Sequence, residues 1–486
     1  MAARVAGDVD TVVISDVHLG ADLVQHVRPW TQDVLRRPSA IDAPLVAMLG
    51  HIQQRRAEDV PLRLVIAGDF LELVGMSILP ESRSSSSRSR AERRWGIGRG
   101  EVQTVLKMQA IGARHPEVMR ALGQFVLCGH SIIVLRGNHD EDLYWPSAQA
   151  AFIDALADQQ PAESGPRVGG GGVSVRDAIA ARVHFAPWFF LDRGVYIEHG
   201  HRYDAMSSRR WFCAPTSFAR GSQAEHDNTD EIVDTLGDVL IRRVINPTRD
   251  MRVHGHEGET LEAWLRYLHA LGAVQSARLI VRAAGCVWWW ARQRTAIGAN
   301  CIRAGDAGAL AREHEEVCRE QARIWGLSME AIERLAGLTA EPATCSVRAL
   351  RRALSPRGGL STVLARAAQS VVAICNDHPL QWVVMGHTHQ PVHRALRAAR
   401  GSGDSTVRYL NTGHWGPYEH AGSSRGHASL DETPSWTLGW FEHRGAGEAA
   451  VRGTLLRYDP ENDTLSEWED KRNQRERNRH DHEVER

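Results

Sequence analysis

The sequence predicts an α/β protein interrupted by a long helical insertion. Short apolar, β-branched runs alternate with stretches of helical period through residues 1–204. The strand pattern is lost over 205–376 and returns over 377–468. Five strand-like runs also end in clusters of Asp, Asn and His, the kind of strand-end chemistry that α/β sandwiches carry.

Thr11 to Ser15 reads as a buried strand ending in Asp16-Val17-His18. Residues i and i+2 of an extended segment share a face, so Asp16 and His18 can converge on one ligand. A helix is expected over Ile41 to Arg56, with Leu45, Val46, Leu49 and Ile52 at helical spacing. Leu62 to Ala67 forms a second buried strand, ending in Gly68-Asp69-Phe70-Leu71-Glu72. Residues 80–100 contain Ser84 to Ser87 among several arginines, a composition too poor in apolar surface to order itself, and are expected to be a mobile loop. Its arginines are expected on a solvated face, with nucleic-acid contact as the weaker reading. Val102 to Val126 reads as helical and leads to a third strand, Ile132 to Leu135, closed by Arg136-Gly137-Asn138-His139-Asp140. A helix over Ala148 to Ala157 and a glycine-rich turn, Gly169 to Gly172, follow. Strands are then expected over Ala181 to Phe185 and Val195 to Glu198, the second ending in His199-Gly200-His201.

Within 205–376, Ile232, Leu236, Leu240 and Val244 recur at helical intervals, as do Val363, Leu364, Ala367, Val371 and Ile374, so this region is expected to be a helical cap. Trp288, Trp289 and Trp290 cannot share one helix face. They are expected to pack on the main domain, on a second copy or against an apolar surface. The Gln381 to Met385 strand ends in Gly386-His387-Thr388-His389, and two more strands are expected near Val407 to Leu410 and Trp436 to Glu442. Residues 469–486 are almost all charged or amide and read as a disordered tail.

Composition excludes several classes. A net charge of −1 over 486 residues gives no global field for nucleic acid. No apolar run approaches a membrane span; the longest, Leu279 to Ala291, is broken by Arg282. Seven scattered cysteines without a C-x-x-C pair fit reduced thiols, and with no signal-like N-terminus a cytoplasmic protein is the expectation.

Asp16, His18, Asp69, Asn138, His139, His199, His387 and His389 together offer imidazoles, carboxylates and an amide oxygen, without a thiolate. That donor set suits Mn²⁺, Fe or Zn²⁺, and it is too large for one ion. Two ions bridged by a carboxylate would use it.

The ordered series Asp16-x-His18, Gly68-Asp69, Gly137-Asn138-His139-Asp140, His199 and Gly386-His387-x-His389 resembles the calcineurin-like metallophosphoesterase superfamily. The resemblance covers residues 11–204 and 377–445, and it implies a four-layer α-β-β-α sandwich. It also implies that Asp16, His18 and His389 hold one ion, Asn138, His199 and His387 a second, and Asp69 both. Mn²⁺ is the first choice of metal. His139 would be the general acid, with Asp140 or Glu72 orienting its ring, and Arg136 either a phosphate clamp or an outer ion pair. The implied reaction is hydrolysis of a phosphodiester or pyrophosphate in a small molecule, by water acidified between the two dications. The Gly68 to Glu72 stretch is similar to the second motif of the UDP-2,3-diacylglucosamine pyrophosphatases. That group commonly carries Arg where His139 stands and His-Gly-Asp where this chain has His199-Gly200-His201. A phosphomonoesterase or protein phosphatase is the alternative enzyme, and a non-catalytic metal-binding scaffold the alternative class.

Overall fold

A computed structural model describes residues 9–23, 39, 41–57, 60–77, 92, 95–161, 173–217, 231–245, parts of 272–288, 304–340, 359–396, 407–415, 436–443 and 451–468. The first half of the chain runs β1 (Asp10–Ile14), α1 (Asp42–Arg55), β2 (Leu62–Ala67), α2 (Glu101–Arg114), α3 (Pro116–Leu127), β3 (Ser131–Leu135), α4 (Pro146–Asp158), α5 (Val175–Ala180), β4 (Val183–Ala186), β5 (Phe189–Asp192) and β6 (Val195–Glu198). After it come β7 (Thr216–Ser217), β8 (Glu231–Ile232), α6 (Leu236–Leu240), α7 (Ala304–Trp325), α8 (Met329–Gly337) and α9 (Gly359–Ile374). The chain closes with β9 (Trp382–Met385), β10 (Pro391–Ala395), β11 (Arg408–Thr412), β12 (Thr437–His443), β13 (Val451–Asp459) and β14 (Thr464–Glu467). The fold is α/β, with mixed sheets and helices.

One sheet has the order β14-β13-β12-β1-β2-β3-β4, parallel from β1 to β4 and antiparallel from β1 outward through β12. The other has the order β10-β11-β9-β6-β5, with a parallel centre of β11, β9 and β6. Strand alternation sends side chains to two cores. Val13, Val65, Ala67, Ile133 and Leu135 of the first sheet meet Val195, Ile197, Trp382, Val384 and Leu410 of the second in one cluster. The opposite faces differ in their cover. Val12, Ile14, Leu64, Ile66, Ile132 and Val134 pack with Leu49, Met108, Leu122 and Phe152 of the helices. Tyr196, Val383, Met385 and Tyr409 pack with Cys318, Leu335, Leu364, Ala368 and Val371. Strands apolar on both faces, as the runs in β1 to β3 are, need cover on both sides, and they receive it.

Several elements differ from the sequence reading. The helix expected over Val102 to Val126 breaks at His115, where Pro116 starts a new one. Proline disfavours helical backbone in the residue before it, and it suits the first helical position. His115 (φ −122°) instead accepts from Gly20 N at 3.0 Å and contacts Asp42 Oδ1 at 2.7 Å. The 205–376 segment is not purely helical: Ile232 lies in β8, which pairs with β7. Helices α7 to α9 pack on the outer face of the second sheet. Arg202 fastens that contact, with Nε on Glu198 Oε2 at 2.9 Å and Nη1 donating to Leu335 O at 2.7 Å.

The end of the 80–100 stretch also departs from a solvated loop. Arg99 is 1% exposed, with Nη2 2.6 Å from Asp142 Oδ2 and Nη1 2.8 Å from Asp238 Oδ2. Distant carboxylates supply what the local composition lacks. Trp288 is exposed, while Trp289, Trp290, the Ser84 to Ser87 run, Gly169 to Gly172 and the 469–486 tail lie outside the described residues. No helix among the described residues is long and apolar enough to cross a membrane.

Candidate metal centre

Five strand ends deliver polar groups to one place. β1 runs into Asp16 and His18, β2 into Asp69 and Glu72, and β3 into Asn138, His139 and Asp140. β6 leads to His199, and β9 to His387 and His389. The first three strands are parallel neighbours, as are β6 and β9, so in each sheet the carboxyl ends share an edge.

The backbone there is held in an unfavourable state. Of the eight described non-glycine residues with positive φ, five are Asp16, His18, Asp69, His387 and His389, at 52° to 68°. Such a conformation costs about 1–3 kcal/mol per residue and persists only where the surroundings enforce it. The glycines before these motifs serve close approach as much as turning. A Cβ on Gly137 would collide with the Asp69 carboxylate, and one on Gly386 would come within 2.5 Å of Asp16 Oδ2.

Two sets of donors result, and Asp69 belongs to both. Asp16, His18, Asp69 and His389 present ligand-type atoms within 4.8 Å of one another, as do Asp69, His199 and His387. In the first set, His389 Nε2 lies 3.0 Å from Asp16 Oδ1 and 3.4 Å from His18 Nε2. In the second, His199 Nε2 lies 3.1 Å from Asp69 Oδ2 and 3.2 Å from Asn138 Oδ1. His199 Nδ1 donates to Ala67 O at 2.9 Å, which leaves Nε2 free of a proton for a metal. Without cations, burial disfavours the His199 imidazolium, yet Asp69 outweighs it and lifts the ring to about 9. Asp69 itself is held well below the usual carboxylate range, against burial, by His199 and His139. A dication placed there would do the proton's work. Imidazole nitrogens and carboxylate oxygens converging around a shared carboxylate fit divalent ions.

His139 stands beside both sets. Its Nδ1 lies 2.6 Å from Glu72 Oε2, and its ring meets that of His18 edge-on at 4.5 Å. Burial would depress it, but Glu72 and then Asp69 raise it to about 10. Glu72 Oε1 accepts from Gly75 N at 3.1 Å, which fixes the carboxylate. Glu72 is therefore the partner of His139, and Asp140 is not. Asp140 accepts instead from the amides of Gly137 at 2.7 Å and Phe70 at 2.8 Å, which pins the β2 and β3 loops together. Burial and Asp69 push Asp140 up to about 6.

Arg136 forms no outer ion pair among the described residues. Its guanidinium is buried, and it donates to Pro187 O at 3.0 Å and Cys213 O at 3.5 Å. Nη1 has no hydrogen-bond partner among the described residues. The group lines a cavity with Glu141, Trp188, His199, His201 and Arg202.

Two residues near the ligands escaped the sequence reading. Asp204 Oδ2 lies 3.3 Å from His387 Nε2, and His414 stacks on His389 at 5.5 Å while its Nδ1 donates to His389 O at 3.2 Å. An acid five residues after His199 was the only local sign of Asp204, and His414 follows a strand end without an acidic companion. No family model matches this chain, and no curated protein is significantly similar to it.

Proposed function

We propose that this protein is a phosphoesterase that uses two divalent ions, of the calcineurin-like kind, and cleaves phosphodiester or pyrophosphate bonds in a small molecule. The observation that carries the reading is the Asp69 carboxylate shared by two donor sets, with an imidazole held by Glu72 at their side. Asp16, His18 and His389 would hold one ion, Asn138, His199 and His387 the other, and Asp69 both; Mn²⁺ is the first choice, with Fe or Zn²⁺ compatible. Bound dications would neutralise phosphoryl charge and acidify a water as nucleophile.

The remaining work falls to the chain's own groups. His139 enters protonated, because Glu72 stabilises its imidazolium, and gives that proton to the leaving oxygen. Glu72 fixes the ring through Nδ1 and leaves Nε2 as the donating atom. The buried Nη1 of Arg136, in the cavity it shares with His199, would be the phosphate donor in this reading. The facing sheets and their separate helical covers support a four-layer α-β-β-α arrangement. In the same reading the protein is cytoplasmic, residues 205–376 bound the substrate site, and exposed Trp288 serves an apolar or self-association contact.

The test is an assay of Mn²⁺-loaded protein on a monoester, a diester and a nucleotide-sugar pyrophosphate, with His139→Ala alongside. Diester or pyrophosphate turnover is expected, falling about 10²- to 10⁴-fold in the variant while both ions stay bound. Monoester turnover alone would select the phosphomonoesterase, and silence on all three with two ions bound would leave the scaffold.

A further inference from the structure

Away from the strand-end centre, Cys213, His314 and Cys318 bring two sulfurs and a ring nitrogen within 4.8 Å of one another. His314 and Cys318 stand four residues apart on α7, so they project from one helix face. Cys213 comes from the loop after β6, beside Phe212, whose ring meets His314 edge-on at 5.0 Å. Both cysteines are buried, at 1% and 5% exposure. His314 Nε2 lies 3.7 Å from Cys318 Sγ. Around a tetrahedral zinc, bonds of about 2.3 Å to sulfur and 2.0–2.1 Å to nitrogen put those two ligand atoms about 3.6 Å apart. The observed edge already matches.

We propose that Cys213, His314 and Cys318 form a separate thiolate-rich site for Zn²⁺. It differs from the strand-end centre in donor chemistry, since that centre offers no sulfur. Three protein donors leave the fourth corner to water or a small ligand. The surroundings favour the thiolate form at Cys318 and oppose it at Cys213, whose proton a bound dication would have to displace. Hydrogen bonding from Cys213 holds the Cys318 thiol below its ordinary range, with His314 adding to it, while burial pushes Cys213 up. Binding releases the thiol protons still present, and two thiolates balance the charge of the dication.

The site would join α7 to the loop after β6, adding to side-chain packing and to hydrogen bonds such as Arg202 to Leu335 O and Tyr144 to Glu313. Cys213 lies on the loop that also carries Arg209, paired with Glu141 at 2.6 Å, and its carbonyl accepts from Arg136. Helix α7 belongs to the 205–376 segment. Cys213 stands near the start of that same segment, so a zinc here would pin α7 to the segment's first loop, behind Arg136.

The experiment is a Co²⁺ titration of the full chain, reduced and stripped of metal, followed by Zn²⁺ competition. Thiolate-bound Co²⁺ shows sulfur-to-metal charge-transfer absorption in the near ultraviolet, which nitrogen and oxygen ligands do not give. One equivalent per chain is expected to produce the band, and Zn²⁺ to abolish it. Cys213→Ser and Cys318→Ser should each remove the band, and His314→Ala should weaken binding on the order of 100-fold. Cys128→Ser should change nothing, and Asp69→Asn should keep the band even if the strand-end centre is empty. A wild-type titration without the band would overturn the proposal, as would a band that survives both cysteine substitutions. A Cys213–Cys318 disulfide as the form isolated under reducing conditions would overturn it too. Wild-type titration and the half-buried His314 keep the test decisive if a cysteine variant does not fold.

Discussion

Two buried collections of charge among the described residues stand in contrast, one around Arg99 and one at the strand ends, and only the first is complete. Around Arg99, four carboxylates meet guanidinium groups: Asp142 and Asp238 face Arg99, Glu141 faces Arg209, and Asp234 faces Arg242 at 2.8 Å. Lys107 adds its ammonium by donating to Leu73 O at 2.6 Å. At the strand ends, Asp16 and Asp69 meet imidazoles, the Ser15 hydroxyl and backbone amides but no guanidinium or ammonium among the described residues, and two ring nitrogens, of His18 and His389, face each other at 3.4 Å. Arg136, two residues before Asn138, donates to backbone carbonyls instead. A network that satisfies itself is architecture. One whose lone pairs converge on each other, on backbone strained at five positions, is built for something added.

The comparison breaks first at Asp69. Asp69→Asn should abolish turnover and cut bound metal, as chelation of the parent should, with Mn²⁺ restoring the parent alone. The metal-free variant should lose about 1–3 kcal/mol against the metal-free parent, because Asp69 also accepts from the His139 amide at 2.7 Å and pairs with His199, and that loss should stay below the loss at Arg99. A large loss of stability would erase the distinction between the two collections. Arg99→Met reverses the pattern. It leaves Asp142 and Asp238 buried without their partner and should cost about 3–5 kcal/mol in denaturant unfolding. Metal content and activity per folded molecule should stay near those of the parent.

The same contrast explains what was legible in the sequence. The strand-end residues follow apolar runs directly, so local pattern and order were enough to find Asp16, Asp69, Asn138, His199 and His387. Arg99 sits in a polar stretch whose partners lie 43 and 139 residues away, and local composition reads it as solvated. Asp204 and His414 were missed for a related reason: each acts through a histidine from another strand end. Strands β5 and β10 lack the β-branched apolar run ending in a polar cluster that marks the similarly short β6 and β9. Pro116 was a visible break, overridden by an apolar helical pattern running through it. Pattern finds groups that share a strand; it does not find groups that meet only across the fold.

The smallest expected effect separates two carboxylates that the sequence left equivalent. Glu72→Gln keeps the volume beside His139 but removes the charge that holds its imidazolium, so kcat should fall about 10- to 100-fold with both ions retained. The loss should shrink on an ester with a good leaving group, which needs no proton. Asp140→Asn acts on backbone instead. Its new amide hydrogens oppose the Gly137 or Phe70 N–H, and unfolding should cost about 1–3 kcal/mol less than in the parent. Sensitivity to the leaving group should stay unchanged there. Equal leaving-group dependence in the two variants would return both carboxylates to one role, and Glu72 would lose its place as the residue that positions His139.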